Sequence, residues 1–232
     1  MSAGRSSNGV TAVEREYVSF IASQWADPIA DLAVAWRRRL ASATDIRHVT
    51  LYDHGMSCAI VLQLLVMLES YTLRASWNTT VPVDALQRWS AFEWWKASSF
   101  PNKEGVLDAI VLRDVVAHNH LYFFDHAGST PEAHDITHGG NKNFRTRAQR
   151  GRLLHTKLTC IPSKIGPIEV RTVVDIVDGA LRWLAASYTN VDADFHFARR
   201  GHDKTLWHVL RSTLDVACAR VSDSDGTAPG DS

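Results

Sequence analysis

Apolar residues recur at three- and four-residue steps over most of the chain, the spacing that puts them on one face of a helix. In residues 11–41 the series Val13, Tyr17, Phe20, Trp25, Ile29, Leu32, Trp36 and Leu40 predicts one long helix, bent at Pro28. Residues 42–54 are more polar and read as a connector. Residues 56–75 are apolar round most of the circumference, which predicts a helix at the centre of a bundle. Glu69 closes that run, and of two options, pairing with Arg113 or facing water near Arg74, the second is expected. A turn around Trp77, Asn78 and Pro82 precedes a helix from Val83 or Asp84 to Ser98, whose Trp89, Phe92, Trp94 and Trp95 are expected in the core. Further helices are predicted at Lys103–Phe124, Val170–Tyr188 and His202–Val221, with a connector at 189–201.

Residues 125–168 break the pattern. Gly128, Pro131, Gly139, Gly140, Gly151, Pro162, Gly166 and Pro167 mark loops. Loops of this length inside a compact domain are uncommon and often functional. Leu153 to Ile161 alternates enough for a short strand, expected to pair near Glu169–Val173. The resulting expectation is a mainly α protein with one helical domain over 11–221 and a loop-rich insertion at 125–168. Residues 1–10 and 222–232 are small and polar and are expected to be a disordered leader and tail.

Composition narrows the picture. The chain has 232 residues, 45% hydrophobic and 22% charged, ordinary for a soluble globular domain. Three separated cysteines, Cys58, Cys160 and Cys218, argue against a disulfide framework and for a reducing, cytoplasmic setting. The most apolar run, Ala59–Leu68, is short of the ~20 residues a membrane span needs. Net charge is zero, which by itself counts against a nucleic-acid partner. The charge is unevenly spread, however. Between Asp135 and Glu169 no acidic residue occurs, while Lys142, Arg145, Arg147, Arg150, Arg152, Lys157 and Lys164 all do. Such a patch suits a polyphosphate chain. Lys142, Arg145, Arg147, Arg150 and Arg152 are therefore the candidate contacts to a nucleic-acid strand, on an insertion that follows directly on the 103–124 helix and is placed to fold over it as a flap.

The candidate chemistry lies in that helix, at Leu112-Arg113-Asp114-Val115-Val116-Ala117-His118-Asn119-His120. A guanidinium holds two phosphoryl oxygens at once, and an imidazole exchanges protons near neutral pH. On an ideal helix Arg113 and His118 diverge by roughly 140°, so they flank a ligand rather than bind each other. A second copy of the helix is the simplest way to complete a site of this kind.

Arg113-Asp114-Val115-Val116-Ala117-His118 resembles the signature of the HEPN superfamily of all-helical domains, an arginine, a polar residue, three further residues and a histidine. Asn119 also fits, and His120 fits the longer spacing of the same motif. The resemblance implies a HEPN-like helical bundle that dimerises with the two motifs facing each other. It implies a metal-independent endoribonuclease of toxin or phage-defence type, with RNA as substrate, no cofactor, and an antitoxin or other regulatory partner. Arg113 would stabilise the charge of the transition state, His118 would move the proton, and Asp114, Asn119 and His120 would assist. Some members of the superfamily are silent and only bind RNA or protein, and that is the alternative expectation.

A metal site is the competing chemistry, since His118, His120, His126, His134 and His138 fall close together with Asp125 and Asp135. No cysteine pair supports it, and His118 and His120 would diverge by about 200° on a helix. No Gly-x-Ser-x-Gly stretch and no phosphate-binding glycine loop occurs, which removes the usual serine-hydrolase and nucleotide-hydrolase readings.

Overall fold

The computed structural model describes residues 24–42, 46–77, 90–118, 123–125, 132–134, 146–189, 191 and 205–225. Among these the fold is mainly helical. Helix α1 is Ala26–Ser42, α2 Ile46–Trp77, α3 Ala91–Ala97, α4 Lys103–His118, α5 Pro167–Ser187 and α6 Leu206–Asp225. Strands β1 (Phe123–Asp125) and β2 (Glu132–His134) form one antiparallel pair, β3 (Ala148–Gln149) and β4 (Arg152–Leu153) another.

Helix α2 lies at the centre. It packs against α5, α1, α4 and α3, and α6 closes the bundle against α1 and α5. Its stretch Tyr52–Ser76 has a mean hydropathy of 1.6, long and apolar enough to cross a membrane by length and composition alone. Ile60, Leu64, Met67, Leu68 and Tyr71 of that stretch are buried against the neighbouring helices, as expected of a core helix.

Helix α2 also takes in residues 46–54, expected as connector. Two polar residues of that segment, Asp53 and His54, have partners supplied by distant elements. Asp53 accepts a hydrogen bond from Trp36 Nε1 of α1 at 2.5 Å, and His54 Nδ1 lies 2.8 Å from the carbonyl of Ile165. Burial raises the Asp53 carboxyl above its ordinary value, partly offset by Trp36, Arg220 and His54. At the other end of α2, Trp95 of α3 is fully buried and donates to Thr72 Oγ1 at 3.0 Å. Trp94, Trp95, Phe100, Trp183 and Tyr188 form a connected aromatic cluster joining α3 to α5, in the tilted and edge-on arrangements aromatic rings favour.

Other boundaries differ from expectation. Helix α1 starts at Ala26 with Pro28 in its first turn, where a missing backbone N–H costs nothing. The expected helix over 11–23, the leader at 1–10 and the segment 78–89 lie outside the described residues. Helix α4 ends at His118, and Phe123 and Phe124 sit in a strand instead of extending it to 124. The expected pairing of Leu153–Ile161 with Glu169–Val173 is not what forms. Glu169 and Val173 belong to α5, which begins at Pro167, and Glu169 turns back to accept the Gly166 N–H at 3.0 Å. Strand β4 pairs with β3, and Arg152 bridges to Thr159. Helix α6 runs to Asp225, into the segment expected as tail.

Candidate active site on helix α4

Helix α4 carries carboxylates on two separate faces, and each face meets one arginine, Arg113 of the helix itself or Arg147 of the insertion. Glu104 and Asp108 are four apart and share a face. Arg113 lies five residues past Asp108, about 140° round the axis and about 7.5 Å further along it. Each face forms its own cluster.

On the first, the Arg113 guanidinium meets Glu69 of α2 end-on. Nη1 donates to Oε2 at 2.8 Å, and Nη2 lies 2.7 Å from Oε1. Nε lies 2.9 Å from Asp114 Oδ1, a charge contact in which the N–H is not aligned for a hydrogen bond. The expectation that Glu69 faces water near Arg74 is thereby corrected. The end of α2 lies against α4, and a guanidinium in that half-buried contact needs a carboxylate more than water does. The Arg113 and Glu69 side chains are each 24% exposed, so the pair opens to solvent on one side. Burial is the larger influence on Glu69 and raises its carboxyl above the ordinary value. Arg113 pulls it down and Asp114 pushes it up.

On the second face Asp108 is fully buried. Its Oδ1 takes Arg147 Nε at 2.9 Å. Its Oδ2 takes the backbone N–H of His155 at 3.1 Å, the N–H of Thr156 at 2.8 Å and the Thr156 hydroxyl at 3.0 Å. Arg147 also donates to Glu104 Oε2 at 2.8 Å and to the Glu104 carbonyl at 2.9 Å. Sequence reasoning missed Asp108 and Glu104. The signal was there: Asp108 is the one acid in the apolar run Val106–Val111, a position that demands several donors.

These contacts relocate the insertion. Within it, Arg147, His155 and Thr156 dock on the Glu104 and Asp108 face of α4, away from the face where Arg113 meets Glu69, while Pro162–Lys164 and Ile165 lie against α2. Arg147, expected to contact RNA, is committed to two carboxylates and a carbonyl, with a side chain only 16% exposed. Arg150 and Arg152 are exposed on the β3–β4 hairpin. Lys142, Arg145, Asn119 and His120 lie outside the described residues, as does the side chain of His118, whose backbone closes α4. Arg113 and Asp114 are therefore brought together, with Glu69 added.

A surface cavity of about 340 Å³ opens beside the second cluster, lined by Phe92, Lys96, Glu104, Leu107 and Arg147 among others. Among the described residues no group of three or more His, Cys, Asp or Glu side chains is placed to share a metal ion. The side chains of His126, His134 and His138 lie outside that set.

The chain matches no protein-family model, no curated protein and no solved structure.

Proposed function

We propose that this chain is a HEPN-like, metal-independent endoribonuclease, acting as a homodimer and serving as a toxin or phage-defence effector. The observation that carries the reading is the guanidinium of Arg113, half-buried on α4 with one side open to solvent and five residues before His118. A ribose 2′-oxygen attacks the adjacent phosphorus and the bond to the 5′-oxygen breaks, leaving a 2′,3′-cyclic phosphate and a 5′-hydroxyl. His118 takes or returns the proton, since an imidazole exchanges protons near neutral pH. Arg113 stabilises the charge that builds on the phosphoryl oxygens. Asp114 steadies Arg113, and Asn119 and His120 support His118. A copy of α4 from the second subunit completes the site.

One observation favours a second reading. Both carboxylates already hold Arg113, so the three side chains together carry a net negative charge and a phosphate must displace Glu69 to reach the guanidinium fork. A bundle that binds RNA or protein without cleaving it is consistent with that arrangement.

Incubation with RNA in excess chelator separates the two. Cleavage that persists in chelator, ends in cyclic phosphate and falls by at least about 100-fold in Arg113→Ala and in His118→Ala supports the nuclease. Intact RNA with wild-type protein, or equal cleavage by both variants, overturns it. Sedimentation of the wild-type chain tests the dimer.

A further inference from the structure

The β3–β4 hairpin holds basic residues where the backbone disfavours them. Gln149 pairs with Arg152, so Arg150 and Gly151 form a two-residue turn, with φ of 50° and 70°. Two successive positive φ values suit Asn-Gly or Gly-Gly, and a side chain with a Cβ at the first position is strained. Lys157, in the next turn, has φ of 61°. Two left-handed positions, one in the hairpin turn and one in the turn that follows it, are thus occupied by long cations instead of Gly or Asn.

Those cations also have no acidic partner among the described residues: no carboxylate there pairs with Arg150, Arg152 or Lys157. Arg152 Nη1 donates to the Lys157 carbonyl at 2.9 Å, and Lys157 Nζ to the Leu154 carbonyl at 2.6 Å, which orders both without neutralising either. Elsewhere Arg171, Arg182 and Arg211 each meet an aspartate. Beside the three cations, Leu154 is 45% exposed and His155 is exposed, giving an apolar and a flat ring surface. The hairpin is fixed at its root, since Leu153, Leu158 and Cys160 are buried and the His155 and Thr156 N–H groups are tied to Asp108.

We infer that this hairpin is a preformed binding surface for single-stranded RNA, with Arg150, Arg152 and Lys157 on the phosphates and Leu154 and His155 against the bases. Cations beside an exposed apolar chain and a flat ring suit an unpaired strand, whose bases are free to stack. The surface stands on a different face of α4 from Arg113 and holds the strand outside the cleavage site. The inference rests on the proposed RNA substrate and not on cleavage.

The test uses substitutions that favour the observed backbone. Arg150→Asn and Lys157→Asn place residues that tolerate positive φ, and Arg152→Gln removes the third charge. The combined variant is made in the full His118→Ala chain, and binding of a fluorescein-labelled single-stranded RNA of mixed sequence is followed by anisotropy across a sodium chloride series. The expected results are an unfolding temperature equal to or above that of the parent, affinity at low salt reduced by about tenfold or more, and a log–log salt slope shallower by about 2. Unchanged affinity and slope in a folded variant overturn the inference and leave the nuclease reading standing. Equal hairpin-dependent binding of duplex DNA overturns the single-strand assignment. If the combined variant fails to fold, Arg150→Asn alone carries the test, with a slope change of about 0.7 expected and no change overturning the inference. A wild-type chain that never cleaves, beside a variant that loses binding, removes the nuclease and keeps the hairpin.

Discussion

Helix α4 contains two arginine sites built from the same parts and held to different standards. Arg147 and Arg113 each face two carboxylates. At Arg147 the key carboxylate, Asp108, is fully buried and takes two backbone N–H groups and a hydroxyl besides the guanidinium. At Arg113 the carboxylate, Glu69, stays part-exposed, and burial has raised its proton affinity. A buried acid surrounded by donors is a fixture that joins the insertion to the helix. A half-buried acid with one cationic partner can be displaced or protonated. That difference supports the proposal that a ligand competes at the Arg113 cluster, although the Arg147 cluster holds more bonds.

The contrast is open to direct attack. Asp108→Ala should show the largest effect, a loss of about 3–5 kcal/mol in urea unfolding, because it strips Arg147 of its buried carboxylate and leaves the His155 and Thr156 N–H groups without their acceptor. A loss below about 1 kcal/mol would remove the distinction between the clusters. Next, Arg113→Ala should lower RNA cleavage by at least about 100-fold while moving the unfolding midpoint less than Asp108→Ala does. The reverse order would make Arg113 the strut.

A third measurement concerns Glu69 and pH. Its folded-state proton affinity is raised, so the folded protein binds this proton more tightly than the unfolded chain does. Glu69 therefore favours folding most below the ordinary glutamate value, and that contribution is lost as pH rises through the raised value. In Glu69→Gln the unfolding temperature should drop this slope across that acid window. Parallel curves for wild type and variant would contradict the assignment. The smallest effect belongs to the exposed pair Arg171–Asp215, at 2.7 Å but with side chains 43% and 68% exposed. Asp215→Asn should shift stability by less than about 1 kcal/mol.

The reading of the chain from its residues succeeded where repetition carried the information. Helices α2, α5 and α6 follow from apolar steps of three and four, and α2 is identifiable as central because Val61, Leu62, Leu65, Val66 and Leu68 fill most of the circumference beside the stripe of Ile60, Leu64, Met67 and Tyr71. It failed where a single polar residue depended on a distant partner. Asp53 and His54 looked like loop until Trp36 and the Ile165 carbonyl supplied their bonds. Glu69 looked solvent-facing until Arg113 arrived from α4. Arg147 counted as one more cation in a basic run, yet it is spent on Asp108 and Glu104.

The sequence by itself determined a mainly helical chain, the positions of its apolar faces, and the presence of arginine, aspartate and histidine at helical spacing in one segment. These are local properties, set by side-chain periodicity along a backbone whose geometry repeats. Tertiary structure alone decided which carboxylate each arginine meets, which of them remains reachable from water, and which face of α4 the basic insertion covers. Those outcomes depend on residues about forty positions apart coming into contact, and the free energy that selects them arises only when burial strips water from both partners at once.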